Sequence, residues 1–183
     1  MLSIRITAVA AATLLLGCSS DSTGVSPDAP MFSSVQGETL PFTAHLEGAA
    51  RDPSGVTCPV GSFAGSFSLA GDATHLGDLT GAGSGCTAFT SPTTFIFLSA
   101  HNTLVAANGD ELWFTLVSGG GAVTGFDPTT GPVLSWSAVK DITGGTGRFA
   151  GATGRVTEVG TQAGTAAPSL SIFEGTISRL GSN

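Results

Sequence analysis

The chain has 183 residues, of which only 10% are charged and 27 are glycine, and its formal net charge is −7. An average soluble domain is about 25% charged and about 7% glycine. The acidic balance repels phosphate backbones, which excludes nucleic acid as an expected partner, and the length suits one domain with one core.

The first 17 residues predict a signal peptide for export. Arg5 gives a positive start, and residues 6–16 form an apolar run. That run is shorter than the about 20 apolar residues that a permanent membrane helix needs. We therefore expect residues 1–17 to be removed from the mature protein.

Cys18 follows this run directly, in the sequence Leu15-Leu16-Gly17-Cys18. This resembles the bacterial lipobox, in which the cysteine thiol receives diacylglycerol and the new amino terminus is then acylated. The alternative is an ordinary signal peptide with a chance cysteine nearby. Because two or more acyl chains give stable anchoring, the lipobox predicts a protein of the bacterial cell envelope, bound to a membrane through lipid on Cys18. Ser19 favours the outer membrane, since an aspartate there would favour retention at the inner membrane.

The segment after the cysteine is predicted to be a flexible linker. Residues 18–38 are rich in Ser, Asp, Pro, Gly and Thr and contain few large apolar residues. Such a segment cannot bury enough surface to offset the entropy of ordering it. The folded domain is therefore expected to occupy residues 39–183.

This domain is predicted to be all-β, because apolar and polar residues alternate with the period of a strand and no stretch holds a helical period. Asn108–Gly109 is the strongest hairpin signal, and Gly119–Gly121 suggests a loose connection. About eight or nine short strands predict a closed barrel or a sandwich. The predicted strands are 40–47, 63–69, 72–85, 93–98, 103–107, 111–117, 133–142, 154–161 and 169–179.

Cys58 and Cys86 remain if Cys18 carries lipid. An even number of cysteines in an oxidising compartment predicts a disulfide. A metal site is the alternative, but two thiols this far apart, without a close His or Cys partner, are weak zinc ligands. We therefore predict a Cys58–Cys86 disulfide and no metal.

Residues 141–154, DITGGTGRFAGATG, place five glycines around one aromatic residue, Phe149. Glycine permits positive φ and close approach of chains. We interpret the segment as a tight corner from which Phe149 turns inward and closes one end of a barrel. Residues 145–150 also fit the dinucleotide fingerprint G-x-G-x-x-G/A, but that motif needs a following helix, and residues 151–164 are poor helix formers. No cofactor is expected. The corner glycines are Gly144, Gly145, Gly147, Gly151 and Gly154.

The string GGTGRFAGATG, together with THLG at 74–77, AANGDEL at 106–112 and FEGTIS at 173–178, resembles a group of exported bacterial proteins. Its glycine corner is similar to that of the plant dirigent and allene oxide cyclase-like barrels. The resemblance covers residues 40–180 and implies one closed antiparallel β-barrel of about eight strands. It also allows a homo-oligomer, since the plant barrels commonly assemble as trimers. No catalytic position carries over, because the chain has no tyrosine and none of the plant enzymes' catalytic positions can be matched.

An eight-stranded barrel is either filled by side chains or just wide enough for one small ligand. Glu174 shares a face with Leu170 and Ile172, so its carboxylate is a candidate pocket group, although a strand-end glutamate in water or paired with an arginine is the alternative. Lys140 shares the parity of Trp136, but a lysine near a strand end is expected to extend outward. The candidate pocket residues are Glu174, Trp136, Trp113 and His45.

Three functions fit this fold. The first is a non-enzymatic barrel that binds a hydrophobic small molecule or an envelope partner. The second is an enzyme of the cyclase or isomerase kind, and the third is a structural protein with a filled interior. A cavity of a few hundred Å³ with a buried charged group would favour the enzyme, the same cavity without one would favour binding, and a packed interior would favour the structural protein.

Overall fold

The computed structural model describes residues 38–164 and 167–178. The predicted signal peptide, Cys18 and nearly all of the predicted linker lie outside these residues, as does Arg179. Within the described part of the chain, no helix has the length and apolar character needed to cross a membrane.

The described chain forms one antiparallel ring of eight strands. Each strand pairs with its neighbours in sequence, and β8 pairs with β1 to close the ring. This confirms the predicted closed barrel and excludes the sandwich, because no sheet edge is left open. The strands are β1 Thr39–Ala50, β2 Phe63–Ala73, β3 Gly77–Ser91, β4 Thr94–Ala106, β5 Glu111–Asp127, β6 Gly131–Gly145, β7 Gly154–Ala163 and β8 Ser169–Ser178.

The prediction was wrong about where the middle strands begin and end. β3 runs on to Ser91, beyond its predicted end at residue 85, and the turn to β4 lies at Pro92 and Thr93, at the start of the strand predicted over 93–98. β4 is then continuous to Ala106, with a bulge between the pairs Cys86–Ser99 and Thr87–Phe97. The extra residue of a bulge reverses the inward parity along a strand, which is why this strand appeared in the sequence as two.

Gly119–Gly121 lies within β5 and is not a loose connection. A Cβ on Gly121 would lie 2.2 Å from the Ser135 carbonyl oxygen and 2.5 Å from Cζ of Phe95. The glycines therefore let the strands and the interior rings approach closely, which no larger residue would allow.

One end of the barrel is closed by packed side chains. Phe114 lies between Phe42 and Phe173, at ring-centroid distances of 5.8 and 5.5 Å. Phe149 lies in the short 3₁₀ turn Gly147–Phe149 between β6 and β7 and is completely buried. The sequence predicted that this side chain turns inward at one end of the barrel. Burying each phenylalanine contributes roughly 1.5–3 kcal/mol. We call this the closed end.

The corner is tied to the β4–β5 hairpin through Asp110. The Asp110 carboxylate accepts a hydrogen bond from the Arg148 backbone N–H at 3.4 Å, and Arg148 Nε lies 3.6 Å away. Gly147 has φ +53, and a side chain there would collide with the same carboxylate. The hairpin itself turns at Asn108–Gly109 as predicted.

The opposite end, which we call the open end, carries the β1–β2, β3–β4, β5–β6 and β7–β8 connections. The longest of these, residues 51–62, is joined to β3 by the predicted disulfide, which is confirmed: Cys58 and Cys86 are bonded, with Cα atoms 5.6 Å apart. Cys86 is on the outer side of β3 and is buried beneath this connection. The disulfide therefore fixes the longest connection against the barrel wall.

Candidate functional site

The interior toward the open end is not filled. A cavity of about 270 Å³ lies between the strands there. Its wall is mostly aromatic and aliphatic, and the polar residues Ser84, Thr87, Ser99 and Ser171 are interspersed. The main apolar wall residues are Phe67, Leu69, Phe89, Phe95, Phe97, Leu134 and Trp136.

Two charged side chains, Lys140 and Glu158, form the floor of this cavity, and we call them the floor pair. Lys140 Nζ lies 2.6 Å from Glu158 Oε2. The two residues are 4% and 8% exposed. They come from adjacent strands, where Ala138 pairs with Glu158 and Lys140 with Val156. Both face inward because they share strand parity with buried Ala138 and Val156.

The floor pair is surrounded by further partners. Lys140 Nζ donates to Asn102 Oδ1 at 2.5 Å and lies 4.8 Å from the centroid of the Phe173 ring. Trp136 Nε1 donates to Glu158 Oε1 at 2.9 Å. Each carboxylate oxygen of Glu158 thus has one donor, which is the condition under which a buried charge pair is tolerated.

Gly160 determines where the Trp136 indole lies. The two residues are paired across β6 and β7, and a Cβ on Gly160 would lie 2.2 Å from the indole ring. The absence of a side chain lets the indole lie flat against β7. Its N–H then reaches the carboxylate of Glu158.

Of the predicted pocket residues, the structure places Trp136 in the cavity wall. Trp113 is on the outer face near the closed end, where its Nε1 donates to Glu111 Oε2 at 2.8 Å. His45 and Glu174 are exposed on the outer face. Trp113, His45 and Glu174 therefore do not contribute to the cavity.

The position of Glu174 corrects a specific inference. It does share a face with Leu170 and Ile172, but that face of β8 is the outer one. The inner face carries Ser171, Phe173 and Gly175 instead. The apolar residues of β8 are on both faces, so their position did not indicate which side is inside. Arg148, one arginine that could have paired with Glu174, lies beside Asp110 instead.

Lys140 and Glu158 are the functional candidates that the sequence reasoning missed or misplaced. Lys140 was expected to extend outward, yet it is buried in the middle of the long strand β6. Glu158 was not considered. The two-residue alternation along each strand could have identified them. It places Lys140 on the same face as Trp136, and Glu158 on the same face as Val156 and Gly160.

Two other chemistries can be assessed from the same residues. The segment that fits a dinucleotide fingerprint leads into the 3₁₀ turn and strand β7, not into a helix, so it has no helix N-terminus to hold a pyrophosphate. Among residues 38–164 and 167–178, no group of three or more His, Cys, Asp or Glu is arranged to hold a metal ion.

The turn between β5 and β6, at the open end, is fixed by Asp127. Its Oδ1 accepts hydrogen bonds from the backbone N–H groups of Thr130 and Thr129 at 2.9 and 2.8 Å. These bonds stabilise the carboxylate and lower the pKa of Asp127. The turn is therefore both ordered and negatively charged at neutral pH.

Comparison with protein-family models gives no match, and neither does comparison with curated proteins. Among solved structures, the chain is similar to the pterocarpan synthase dirigent protein GePTS1. The match has a TM-score of 0.41 and 12% sequence identity, and it covers 83% of this chain and 91% of that chain. The likeness is one of barrel architecture, and no residue role is transferred from it.

Proposed function

We propose that this barrel is a non-enzymatic binding protein for a small, largely apolar molecule that has one polar end. The observation that supports this most strongly is the cavity of about 270 Å³, with an aromatic wall and a polar floor. Ligand pockets typically combine an apolar lining with a few placed polar groups. The unfilled interior argues against a purely structural protein.

The aromatic wall and the polar floor suit different parts of such a ligand. Phe67, Phe95 and Phe97 offer ring surfaces to a flat or branched apolar body. The ligand's polar end would lie beside Asn102 and the floor pair, with the hydroxyl of Ser171 on the adjacent wall. A carbonyl or hydroxyl group matches these donors and acceptors, and it does not add a third buried charge.

The floor pair is also the observation that favours the second function, an enzyme of the cyclase or isomerase kind. A buried carboxylate beside a lysine is suitable for proton transfer. We rank this function second because both oxygens of Glu158 already accept hydrogen bonds, from Lys140 and Trp136. A general base would have to break one of these bonds before it could take a proton from a substrate.

We further propose that the mature chain is anchored in the bacterial envelope, preferably at the outer membrane, through lipid on Cys18. The lipobox-like sequence and the polar segment after it support this proposal. Mass spectrometry of the amino-terminal peptide tests it: we expect a triacylated cysteine in the natural chain and none in Cys18→Ala. An unmodified cysteine would contradict it.

Native mass spectrometry tests the binding function on the protein purified from its own host. We expect a bound small molecule, released on denaturation, in the natural protein. The matched variant is Ser171→Phe, which fills the cavity from its wall and should carry no bound molecule. Repeated absence of a bound molecule from the natural protein would overturn the proposal, as would equal occupancy in the filled variant. A product chemically different from the added ligand would favour the enzyme.

A further inference from the structure

The open end of the barrel carries a group of large apolar side chains exposed to solvent. Val60 is fully exposed, and Phe63, Phe89 and Phe126 are 62%, 50% and 74% exposed. We call these four residues the open rim. They come from the 51–62 connection and from the ends of β2, β3 and β5. Exposed apolar residues are common singly, but a group gathered at one end of a molecule indicates an interaction surface.

The open rim is continuous with the cavity wall. The ring of Phe63 lies 6.0 Å from that of Phe89, which lies 5.9 Å from that of Phe95, and Phe97 follows at 5.6 Å. Phe89, Phe95 and Phe97 line the cavity. A row of contacting aromatic rings therefore runs from the surface to the interior.

Charges have the opposite distribution. The connections of the open end carry three charged residues, Arg51, Asp52 and Asp127. The closed end and the strands next to it carry most of the others among the described residues. These include Asp72, Asp78, Asp110, Glu111, Asp141, Arg148 and Arg155. The barrel is therefore amphipathic along its axis.

We propose that the open rim docks on the surface of a lipid bilayer with zwitterionic headgroups, so that the cavity opens toward the apolar interior of the membrane. The open-end connections beside the rim carry only two acids, Asp52 and Asp127, and one base, Arg51. This sparse charge matches a surface of zero net charge better than an anionic one. Insertion of apolar side chains to the depth of the acyl boundary is how monotopic proteins bind bilayers.

The shape of the open end favours a soft surface over a second copy of the chain. Residues 125–127 of β5 and 131–133 of β6 pair with each other beyond the point where β4 starts, since β4 and β5 begin to pair at Thr94–Ala122. Phe126 lies on this projecting hairpin. A projecting aromatic residue penetrates a bilayer readily, whereas two such ends would meet at their tips and leave most of the rim uncovered.

The chain also reaches far enough for this orientation, a step that depends on the proposed lipid at Cys18. β1 starts at the closed end, where Thr39 pairs with Ser178. The 21 residues from Cys18 to Thr39 can span at most roughly 70 Å. The longest strand, of 17 residues, is about 56 Å long at about 3.3 Å per residue. An anchor attached at the closed end therefore still permits the open end to face the same membrane.

Flotation with phosphatidylcholine vesicles tests the proposal. The protein used is produced without residues 1–18 and with its disulfide formed. Lipid and signal sequence then contribute nothing to binding. We expect the protein to float with the vesicles, and Phe126→Ser to weaken partitioning about tenfold, since full burial of one phenylalanine is worth about that factor or more. Phe63→Ser combined with Phe126→Ser should abolish flotation. Vesicles rich in phosphatidylglycerol should bind less well than phosphatidylcholine alone.

The matched control is Val159→Ser with Ile172→Ser, two exposed apolar residues that pair across β7 and β8 on the side wall of the barrel, and it should float like the natural sequence. Circular dichroism establishes that each variant is folded. If the double rim variant is not folded, flotation of Phe126→Ser alone tests the proposal.

Absence of flotation by the natural sequence would overturn the proposal. So would undiminished flotation of the rim variants, or sedimentation showing a rim-dependent dimer that does not bind vesicles. Binding of a small molecule in the cavity is measured without vesicles, so failure of this proposal leaves the binding function separately testable.

Discussion

Lys140 and Glu158 determine the chemistry of the cavity floor because each is buried only in the company of the other. An isolated charge in such a place costs several kcal/mol, whereas a hydrogen-bonded pair is tolerated. Asn102, Trp136 and the Phe173 ring complete the environment. The pair therefore acts as a unit, and single and double substitutions should have different effects.

Replacement of Lys140 by methionine is expected to lower the free energy of unfolding by about 3 kcal/mol, because Glu158 is left buried without its cation. The double variant Lys140→Met with Glu158→Leu should recover most of this loss. Urea denaturation measures both. Arg155→Ala, which breaks an exposed ion pair with Asp141, is the control and should cost little stability, because solvent screens the pair. Equal losses in Lys140→Met and Arg155→Ala would contradict the buried position of the lysine.

The same surface pair predicts a pH dependence. Arg155 Nε and Nη2 donate to the Asp141 carboxylate at 2.7 and 3.1 Å, and these bonds lower the pKa of Asp141 below its usual value. A carboxyl group whose pKa is lowered on folding stabilises the fold above its unfolded pKa, about 3.9. That contribution is lost as the pH falls through the folded pKa.

Asp141→Asn should therefore lower the thermal midpoint slightly at pH 7 and leave it unchanged at about pH 2, where the natural residue is itself protonated. Thermal unfolding followed by circular dichroism at the two pH values measures the difference. The same decrease at both pH values would show that the charge of Asp141 is not involved.

At the scale of single elements, the corner between β6 and β7 closes the barrel through one side chain. Phe149 is held inside by the 3₁₀ turn, and Ala152 and Leu76 are buried in the same core cluster. Phe149→Ala should lower the free energy of unfolding by about 3–5 kcal/mol, because the vacated space cannot collapse within a closed ring of strands. Phe126→Ala, at the exposed end of β5, is the matched control and should cost less than about 0.5 kcal/mol. Denaturant unfolding compares the two, and similar losses would contradict the role of the corner.

The strands and the corner were predictable because strand periodicity, the Asn108–Gly109 turn and the glycine run at 144–154 are local signals. The disulfide was predictable from the cysteine count together with the predicted oxidising compartment. Inside and outside were harder to assign, because a short bulge reverses parity in β4 and the apolar residues of β8 lie on both faces. The floor pair depends on two strands meeting in register, which a single strand pattern does not show. The lipid anchor at Cys18 stays a prediction.

At the scale of the whole molecule, the barrel is filled at one end and hollow at the other. Phe42, Phe114, Phe149 and Phe173, each at most 1% exposed, occupy the closed half, and the cavity begins above the ring of Phe173. Charges gather toward the closed end, whereas the open rim is aromatic. In the proposed function, a small apolar molecule reaches the floor pair from the open end, and Trp136 in the cavity wall is placed to report whether the molecule arrives.

The most direct measurement is therefore a fluorescence titration of Trp113→Phe, which leaves Trp136 as the chain's single tryptophan, in the cavity wall. A neutral naphthalene-based probe should quench its emission saturably, with one probe bound per chain, and Ser171→Phe in the same background should abolish the effect. Quenching that does not saturate, or that is the same in the filled variant, would contradict a barrel built around one open binding cavity.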